Sequence, residues 1–293
     1  MTNHNGEKPQ GFVVTKGYRR FAEMCDACRR ARVVGLGYGP PGTGKTESAT
    51  YYAQWNLIEP FLPEPLITFT GRNAVDGLYP YRPLAFPSAP LDASIRECRT
   101  VFYTPPVTGA PGRIEKEVFT LFAAFSYLVE AANQQHQGNE EFLVTRRYTR
   151  LIELLVVDEA NRLKDGGLEQ IRDIADRGKL GLVLLGMPGL EKRVARAPQL
   201  YSRIGFNHEM EALSEEETRF FLDQRWSHRV STHSNDFTDQ EAVATILRIV
   251  RGNIRLIERL MMQVEHVLVA NQITVVTKEV VETARKNLIM GSD

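Results

Sequence analysis

The sequence has little of what would mark a secreted, membrane-spanning or strongly charged protein. Only three of its 293 residues are cysteine, and the polar segment from Met1 to Gln10 lacks the apolar core of a secretory signal, so a reducing, cytoplasmic setting is expected. No run of about 18 apolar residues occurs, so no membrane span is expected. Lysine and arginine together number 36, and aspartate and glutamate together also number 36, so the formal net charge is zero. Any contact with nucleic acid must therefore be made by a local basic patch.

The remaining composition is that of a folded protein in solution, with 43% hydrophobic and 25% charged residues. A length of 293 residues suggests about two domains. Cys25 and Cys28 have the spacing of metal ligands, but Cys98 is the one other thiol and no second ligand pair follows. We therefore expect ordinary helix positions for Cys25 and Cys28 rather than a zinc site.

One segment has the complete pattern of a phosphate-binding loop, G-x-x-x-x-G-K-T. It comprises Gly39, Pro40, Pro41, Gly42, Thr43, Gly44, Lys45 and Thr46, and Glu47 follows it. An apolar stretch at 33–37 precedes the loop as a candidate strand, and 47–53 can open a helix. Glycines let backbone N–H groups surround phosphates, while Lys45 reaches the β- and γ-phosphates and the Thr46 hydroxyl binds Mg²⁺. The motif predicts ATP and Mg²⁺ as ligands.

Apolar runs alternate with amphipathic helices up to residue 212, which predicts a parallel sheet covered by helices on both faces. The predicted strands are 33–37, 66–70, 100–104, 154–157 and 182–185, and the predicted helices include 113–131 and the segment around Leu168, Ile171 and Ile174. Capping boxes at Ser214 and Thr238 and an apolar stripe over 254–268 predict only helices after residue 212.

These patterns divide the chain into three predicted parts. Residues 1–32 form a locally basic lead-in and helix, 33–212 an α/β nucleotide-binding domain, and 213–293 a small helical lid domain. Within the second part, 56–99 holds seven of the fifteen prolines and is expected to be an irregular insertion whose role the sequence does not give.

Two carboxylates, Asp158 and Glu159, end the apolar run 154–157. Ligands collect outside the carboxyl ends of parallel strands, so these side chains are expected beside the phosphate loop. There the first carboxylate would orient Mg²⁺ and the second would polarise the attacking water. The pair predicts hydrolysis of ATP rather than storage of the nucleotide.

With both motifs in place, the chain resembles the AAA+ ATPases, and more narrowly the transposition regulators: the Mu transposition protein B, TniB and TnsC. Besides the two nucleotide motifs, the resemblance rests on segments 12–15, 160–163, 181–187 and 252–255, and on the short helical end. It implies a P-loop AAA+ fold with a lid domain.

The resemblance also implies roles for two arginines. Arg203 is at the position of an arginine finger that reaches the γ-phosphate of a neighbouring subunit, although Arg193 and Arg196 lie close by and could substitute for it. Arg255 is at the position of the second sensor. The family's first sensor is a polar residue at the end of the fourth strand, but this chain has Gly186-Met187-Pro188 there, so the identity of its first sensor is open.

A contact with double-stranded DNA is a further implication of the resemblance, since family members form ATP-dependent filaments on duplex DNA. Lys116 is at the position of a backbone-binding lysine and Arg113 is one turn away, in the matching segment 105–118. A second basic cluster comprises Arg146, Arg147 and Arg150. Such side chains would neutralise phosphates without reading bases. The alternative for Lys116 is an ion pair with Glu115 or Glu117 on a solvated helix face.

The leading hypothesis is an ATP-dependent regulator of DNA transposition. It would form a homo-oligomeric ring or filament on DNA, present target DNA to a transposase together with a target-selection factor, and hydrolyse ATP to disassemble. The alternatives are an AAA+ ATPase that acts on proteins, such as a helicase loader or an ExeA-type secretion ATPase, and a nucleotide-gated interaction scaffold.

Overall fold

A computed structural model of the chain describes residues 11–62, 90–107, 109–137, 151–227 and 237–288. Within these ranges the strands are β1 (Val34–Tyr38), β2 (Thr100–Tyr103), β3 (Leu154–Val157), β4 (Gly181–Gly186) and β5 (Ile204–Glu209). The helices are α1 (Lys16–Ala31), α2 (Lys45–Tyr52), α3 (Pro111–Gln137), α4 (Asp165–Gly178), α5 (Leu190–Val194), α6 (Pro198–Tyr201), α7 (Glu215–Trp226), α8 (Phe237–Val250), α9 (Ile254–Asn271) and α10 (Lys278–Lys286). In the part of the chain so described, no helix is long and apolar enough to cross a membrane.

The five strands form one parallel sheet in the order β2-β3-β4-β1-β5. Every residue of β2, β3 and β4 is buried, because helices cover both faces. The predicted strands at 33–37, 100–104, 154–157 and 182–185 are therefore confirmed within one or two residues. The predicted α/β fold is confirmed, and the predicted strand at 66–70 lies outside the described residues.

The edge strand β5 has no counterpart among the predicted elements. Four of its six residues are exposed, so the apolar run that identifies a buried strand is missing. It pairs with β1 in parallel, and the register shifts between Val34 and Gly35. Its importance for the site is that its first residue directly follows Arg203.

The chain divides into two compact units. The larger unit contains 20–39 and 45–209, and therefore the whole sheet. The smaller unit contains 1–19, 40–44 and 210–293. The described residues 11–19 and the loop residues 40–44 thus group with the helices that follow β5.

The smaller unit has its own hydrophobic core, built from one face each of α7 to α10. The apolar stripe of α9 supplies six buried residues, and Val13 from the N-terminal segment packs in the same cluster. The capping box at Ser214 is confirmed, since its hydroxyl accepts from the Glu217 amide and the Glu217 carboxylate accepts from the Ser214 amide. The predicted box at Thr238 is wrong, because α8 begins one residue earlier and Thr238 is already inside the helix.

Candidate nucleotide site

The phosphate loop connects β1 to α2, as the sequence predicts. Gly42 and Gly44 have φ values of +84° and +82°, a conformation that glycine adopts without steric cost. The Lys45 ammonium donates a 2.7 Å hydrogen bond to the Gly39 carbonyl, and the Thr43 hydroxyl donates to the Pro40 carbonyl at 3.0 Å. The segment is therefore folded back on itself, with Lys45 at the start of α2.

A short hydrogen bond joins the two motifs of the site. The Thr46 hydroxyl donates to Asp158 Oδ2 at 2.6 Å, and Asp158 is buried where β3 ends. Burial raises the pKa of the Asp158 carboxyl, although hydrogen bonds from the Thr46 hydroxyl and the Glu159 amide oppose this shift. The two side chains present a hydroxyl and a carboxylate oxygen at one point, and hard oxygen ligands of this kind suit Mg²⁺.

Glu159 follows Asp158 with a backbone φ of +50°, which is unusual for a residue with a side chain. The Glu159 amide donates to Asp158 Oδ1 at 2.8 Å, so both carboxylate oxygens of Asp158 are engaged. The Glu159 side chain is 38% exposed and its Oε2 faces Asn161 and Arg162 of the next turn. The tight turn therefore places two adjacent carboxylates in different surroundings, one buried and one accessible to water.

The N-terminus of α9 contacts the phosphate loop within the smaller unit. The Ile254 amide donates to the Gly42 carbonyl at 2.9 Å, and Asn253 Nδ2 donates to the Pro41 carbonyl at 3.0 Å. Asn253 also caps α9, since its Oδ1 accepts from the Leu256 amide at 3.0 Å. Arg255, the expected second sensor, is exposed in the first turn of the same helix.

Asn253 contacts the phosphate loop within the smaller unit, and the sequence does not identify this contact. The segment 252–255 contributes to the family resemblance, which implies no role for this asparagine. The available signal was an N-cap residue directly before a predicted helix. Its contact with Pro41, 212 residues away, could not be inferred from that local pattern.

The three arginines considered for the finger lie in different surroundings. Arg203 directly precedes β5, and its guanidinium pairs with Asp176 at 2.8 Å while remaining 49% exposed. Arg193, on α5 after β4, pairs with Asp165 at 2.8 Å, and Arg196 is exposed. Because β5 and β1 are parallel, Arg203 lies at the amino-terminal edge of the sheet, whereas Arg193 follows the carboxyl edge, where Asp158 and Glu159 lie.

The candidate DNA contacts are only partly described. Lys116 is exposed on α3, and both acidic neighbours have other partners, because Glu115 pairs with Arg177 and Glu117 with Arg113. Arg113 is therefore engaged at 2.9 Å by a nearly buried carboxylate that also accepts from the Tyr103 hydroxyl. Arg146, Arg147 and Arg150 lie outside the described residues.

Cys25 and Cys28 are buried positions of α1, and Cys98 is also buried. Burial raises the pKa of the Cys28 thiol to about 12. An added Cβ at Gly35 of β1 would lie 2.6 Å from Cys28 Sγ, so this thiol packs tightly on the sheet. Both residues of the pair are ordinary helix positions that contribute to the core.

Comparison with solved structures shows the fold. The RuvB Holliday junction branch migration motor of Thermotoga maritima aligns with 94% of this chain and 70% of its own, at 16% identity and a TM-score of 0.52. The ORC2 protein of Aeropyrum pernix in its ADP form aligns with 97% of this chain and 71% of its own, at 14% identity and a TM-score of 0.53. Drosophila ORC bound to DNA aligns with 98% of this chain and 64% of its own, at 15% identity and a TM-score of 0.53.

Comparison with known sequences shows the family. A Staphylococcus aureus protein described as a potential ATP-binding protein is 37% identical over 285 residues, which are 97% of this chain and 98% of that protein. The family model of the AAA domain matches residues 29–194, more than half of the chain. This segment contains Lys45, Thr46, Asp158 and Glu159, and the chain therefore belongs to the AAA domain family.

Proposed function

We propose that this chain is an ATPase that assembles on double-stranded DNA, presents target DNA to a transposase and hydrolyses ATP to disassemble. The observation that carries the ATPase part is the 2.6 Å hydrogen bond between Thr46 and Asp158, with Glu159 directly beside it. This contact joins a phosphate-binding segment to two carboxylates, one for a metal ion and one for water.

The residues have distinct tasks in the proposed reaction. Lys45 and the N–H groups of the loop would bind the phosphates, while Thr46 and Asp158 would hold Mg²⁺. When bound, Mg²⁺ supplies positive charge that neutralises the phosphate oxygens. Glu159, the more exposed carboxylate, would orient the attacking water and accept its proton.

The position of Arg203 supports assembly as part of the mechanism. Val34 pairs with Ile204, so Arg203 lies beside the start of β1, while the phosphate loop follows its end. Five residues of strand separate the two points by roughly 16 Å. Arg203 therefore lies at the edge of the sheet opposite to Gly39, where the phosphate loop of the same chain begins. Its guanidinium can contact a neighbouring copy once it leaves Asp176.

Support for DNA as the assembly template comes from Lys116 and from the resemblance to transposition regulators. Lys116 is an exposed ammonium whose acidic neighbours are engaged elsewhere, which favours a phosphate contact over the solvated ion pair. Two of the structurally similar proteins are a Holliday junction branch migration motor and an ORC bound to DNA. The transposase and the target-selection factor rest on the resemblance alone.

Arg113 is a weaker DNA candidate than Lys116. Its guanidinium is paired with Glu117, which is in turn bonded to Tyr103 at the end of β2. Moving Arg113 to a phosphate would leave the Glu117 carboxylate nearly buried without its cation, which is costly. We assign Arg113 to the packing of α3 on β2, with DNA as a secondary partner.

Complementation between two inactive variants tests the ATPase and assembly parts. Glu159→Gln should bind ATP but lose between about a hundredfold and ten-thousandfold in turnover, and Arg203→Ala should also be inactive. Mixed, they should regain turnover, because an Arg203→Ala subunit keeps Glu159 and receives Arg203 from its neighbour. Arg285→Ala, at an exposed position of α10, is the matched arginine control. Wild-type turnover by Arg203→Ala alone would refute the finger role.

Binding of labelled random-sequence duplex DNA tests the remaining part. With a slowly hydrolysed ATP analogue, binding should be sequence-tolerant and weaken steeply with salt, and rings or filaments should be visible by electron microscopy. Absence of binding with and without the analogue would remove DNA from the proposal. The chain would then be an oligomeric ATPase that acts on proteins, which is the alternative function.

A further inference from the structure

The turn after β3 places the Asn161 side chain between Glu159 and the end of β4. Asn161 Nδ2 donates to Glu159 Oε2 at 3.5 Å, and Asn161 Oδ1 accepts from the Met187 amide at 3.3 Å. One amide group therefore connects the proposed water-activating carboxylate to the neighbouring strand.

The chemistry of the two partners fixes the orientation of this amide. A backbone N–H can only donate, so the Met187 amide requires the oxygen of Asn161. The NH₂ group must then face Glu159, whose ionised carboxylate can only accept. The orientation in which both contacts are satisfied is the one observed, and it presents a donor to Glu159.

Gly186 leaves the space that Asn161 uses. A Cβ added at Gly186 would lie 3.0 Å from Asn161 Oδ1 and 2.7 Å from Leu190 Cδ2. A side chain at residue 186 would therefore press on Leu190 and would require Asn161 to shift by a few tenths of an ångström. The end of β4 has no polar side chain of its own, and the polar group found there comes from the turn after β3.

We propose that Asn161 is the positioning residue for Glu159, with its amide fixing the direction of the carboxylate relative to the end of β4. This inference rests on the proposed hydrolysis of ATP. Arg162 also faces Glu159 Oε2, at 3.9 Å, but an ion pair of this length between side chains about one-third exposed has little directional effect. The hydrogen bond from Asn161, at 3.5 Å, is the shorter of the two contacts, and it connects the carboxylate to the residue that follows β4.

Two substitutions separate this role from a purely structural one. Asn161→Asp keeps an acceptor for the Met187 amide but replaces the donor facing Glu159 with a carboxylate oxygen, and Asn161→Ala removes both groups. If Asn161 positions Glu159, both variants lose between about tenfold and a hundredfold in kcat, while KM for ATP changes less than about twofold. If Asn161 only supports the turn at Met187, Asn161→Asp stays close to wild type and Asn161→Ala does not.

The measurement is steady-state ATP hydrolysis with Mg²⁺, with and without duplex DNA, together with binding of a fluorescent ATP analogue. Asn56→Asp adds the same charge at an exposed position of the same unit and should leave kcat unchanged. In a Glu159→Gln background, Asn161→Asp and Asn161→Ala should cause no further loss, because the group they act through is gone. If Asn161→Asp no longer binds ATP, the test rests on Asn161→Ala. Its loss in kcat is then compared in the wild-type and Glu159→Gln backgrounds.

The outcomes distinguish the inference from the function on which it rests. Normal kcat in Asn161→Asp, or full additivity with Glu159→Gln, overturns the role of Asn161 and leaves the ATPase intact. If the wild-type protein binds ATP but shows no turnover either with or without duplex DNA, the proposed ATPase itself fails, and the role of Asn161 fails with it.

Discussion

Gly42 is the residue of the phosphate loop whose replacement has the most specific structural consequence. Its φ of +84° disfavours any side chain, and an added Cβ would lie 2.1 Å from Asn253 Oδ1. The obstacle is the end of a side chain, so Asn253 can rotate away, but only by breaking its hydrogen bonds to the Pro41 carbonyl and the Leu256 amide.

The cost of Gly42→Ala can be estimated from these parts. A left-handed backbone costs about 1–2 kcal/mol for a residue with a side chain. Two lost hydrogen bonds add about 1 kcal/mol each. We therefore expect Gly42→Ala to lower the free energy of unfolding of the smaller unit by about 3–4 kcal/mol.

Gly189→Ala is the matched control, because Gly189 also has a positive φ, +102°, but nothing lies within 4 Å of an added Cβ. Gly189→Ala should lower the free energy of unfolding only by the cost of the left-handed backbone, about 1–2 kcal/mol. The assay is urea unfolding of the nucleotide-free protein, followed by circular dichroism, with hydrogen exchange at the Leu256 amide. Equal costs for the two variants, with Leu256 equally protected in both, would refute the contact between Asn253 and the loop.

Three further predictions concern single side chains. Burial raises the pKa of Asp158, so the stability of the nucleotide-free protein should fall as pH rises from the usual aspartate value to the raised one. Asp158→Asn should then be more stable than wild type at pH 7 in a thermal melt, but no longer stabilised by Mg²⁺ and ATP; a lower melting temperature would contradict this. Lys116→Ala should weaken DNA binding equally for all sequences and reduce the salt slope by about one, whereas Lys286→Ala, at an exposed site of α10, should not. Asn253→Ala should lower the free energy of unfolding by about 2 kcal/mol, against about 1 kcal/mol for Thr277→Ala, which removes the cap of α10 and a hydrogen bond with the exposed Glu279 side chain.

The parts of the fold that could be predicted are those whose sequence pattern is local. Strands β2, β3 and β4 are buried on both faces, so each appears as an apolar run of the right length. The phosphate loop is a contiguous motif with glycines at its positive-φ positions, and α9 has a long apolar stripe. In each case the residues that determine the structure are close together in the sequence.

Strand β5 could not be predicted because its structure depends on a distant partner. Its exposed residues give no apolar run, and it is a strand because it pairs with β1, about 170 residues earlier in the chain. The same reason applies to Arg113, since the sequence shows a basic residue at the start of a helix but not the Tyr103 hydroxyl that helps to fix its partner Glu117.

The end of β4 shows how an apparent defect in a motif depends on the sheet order. Taken alone, Gly186 is a missing polar side chain, and the sequence offers no replacement because Asn161 precedes it by 25 residues. In the sheet, β3 and β4 are neighbours, so the turn after β3 lies beside the end of β4. A side chain at residue 186 would press on Leu190 and on the Asn161 amide, so the glycine leaves both side chains in their present positions. Substituting a polar residue at Gly186 should thus impair hydrolysis by shifting Leu190 and the Asn161 amide, although it would bring the motif closer to the family pattern.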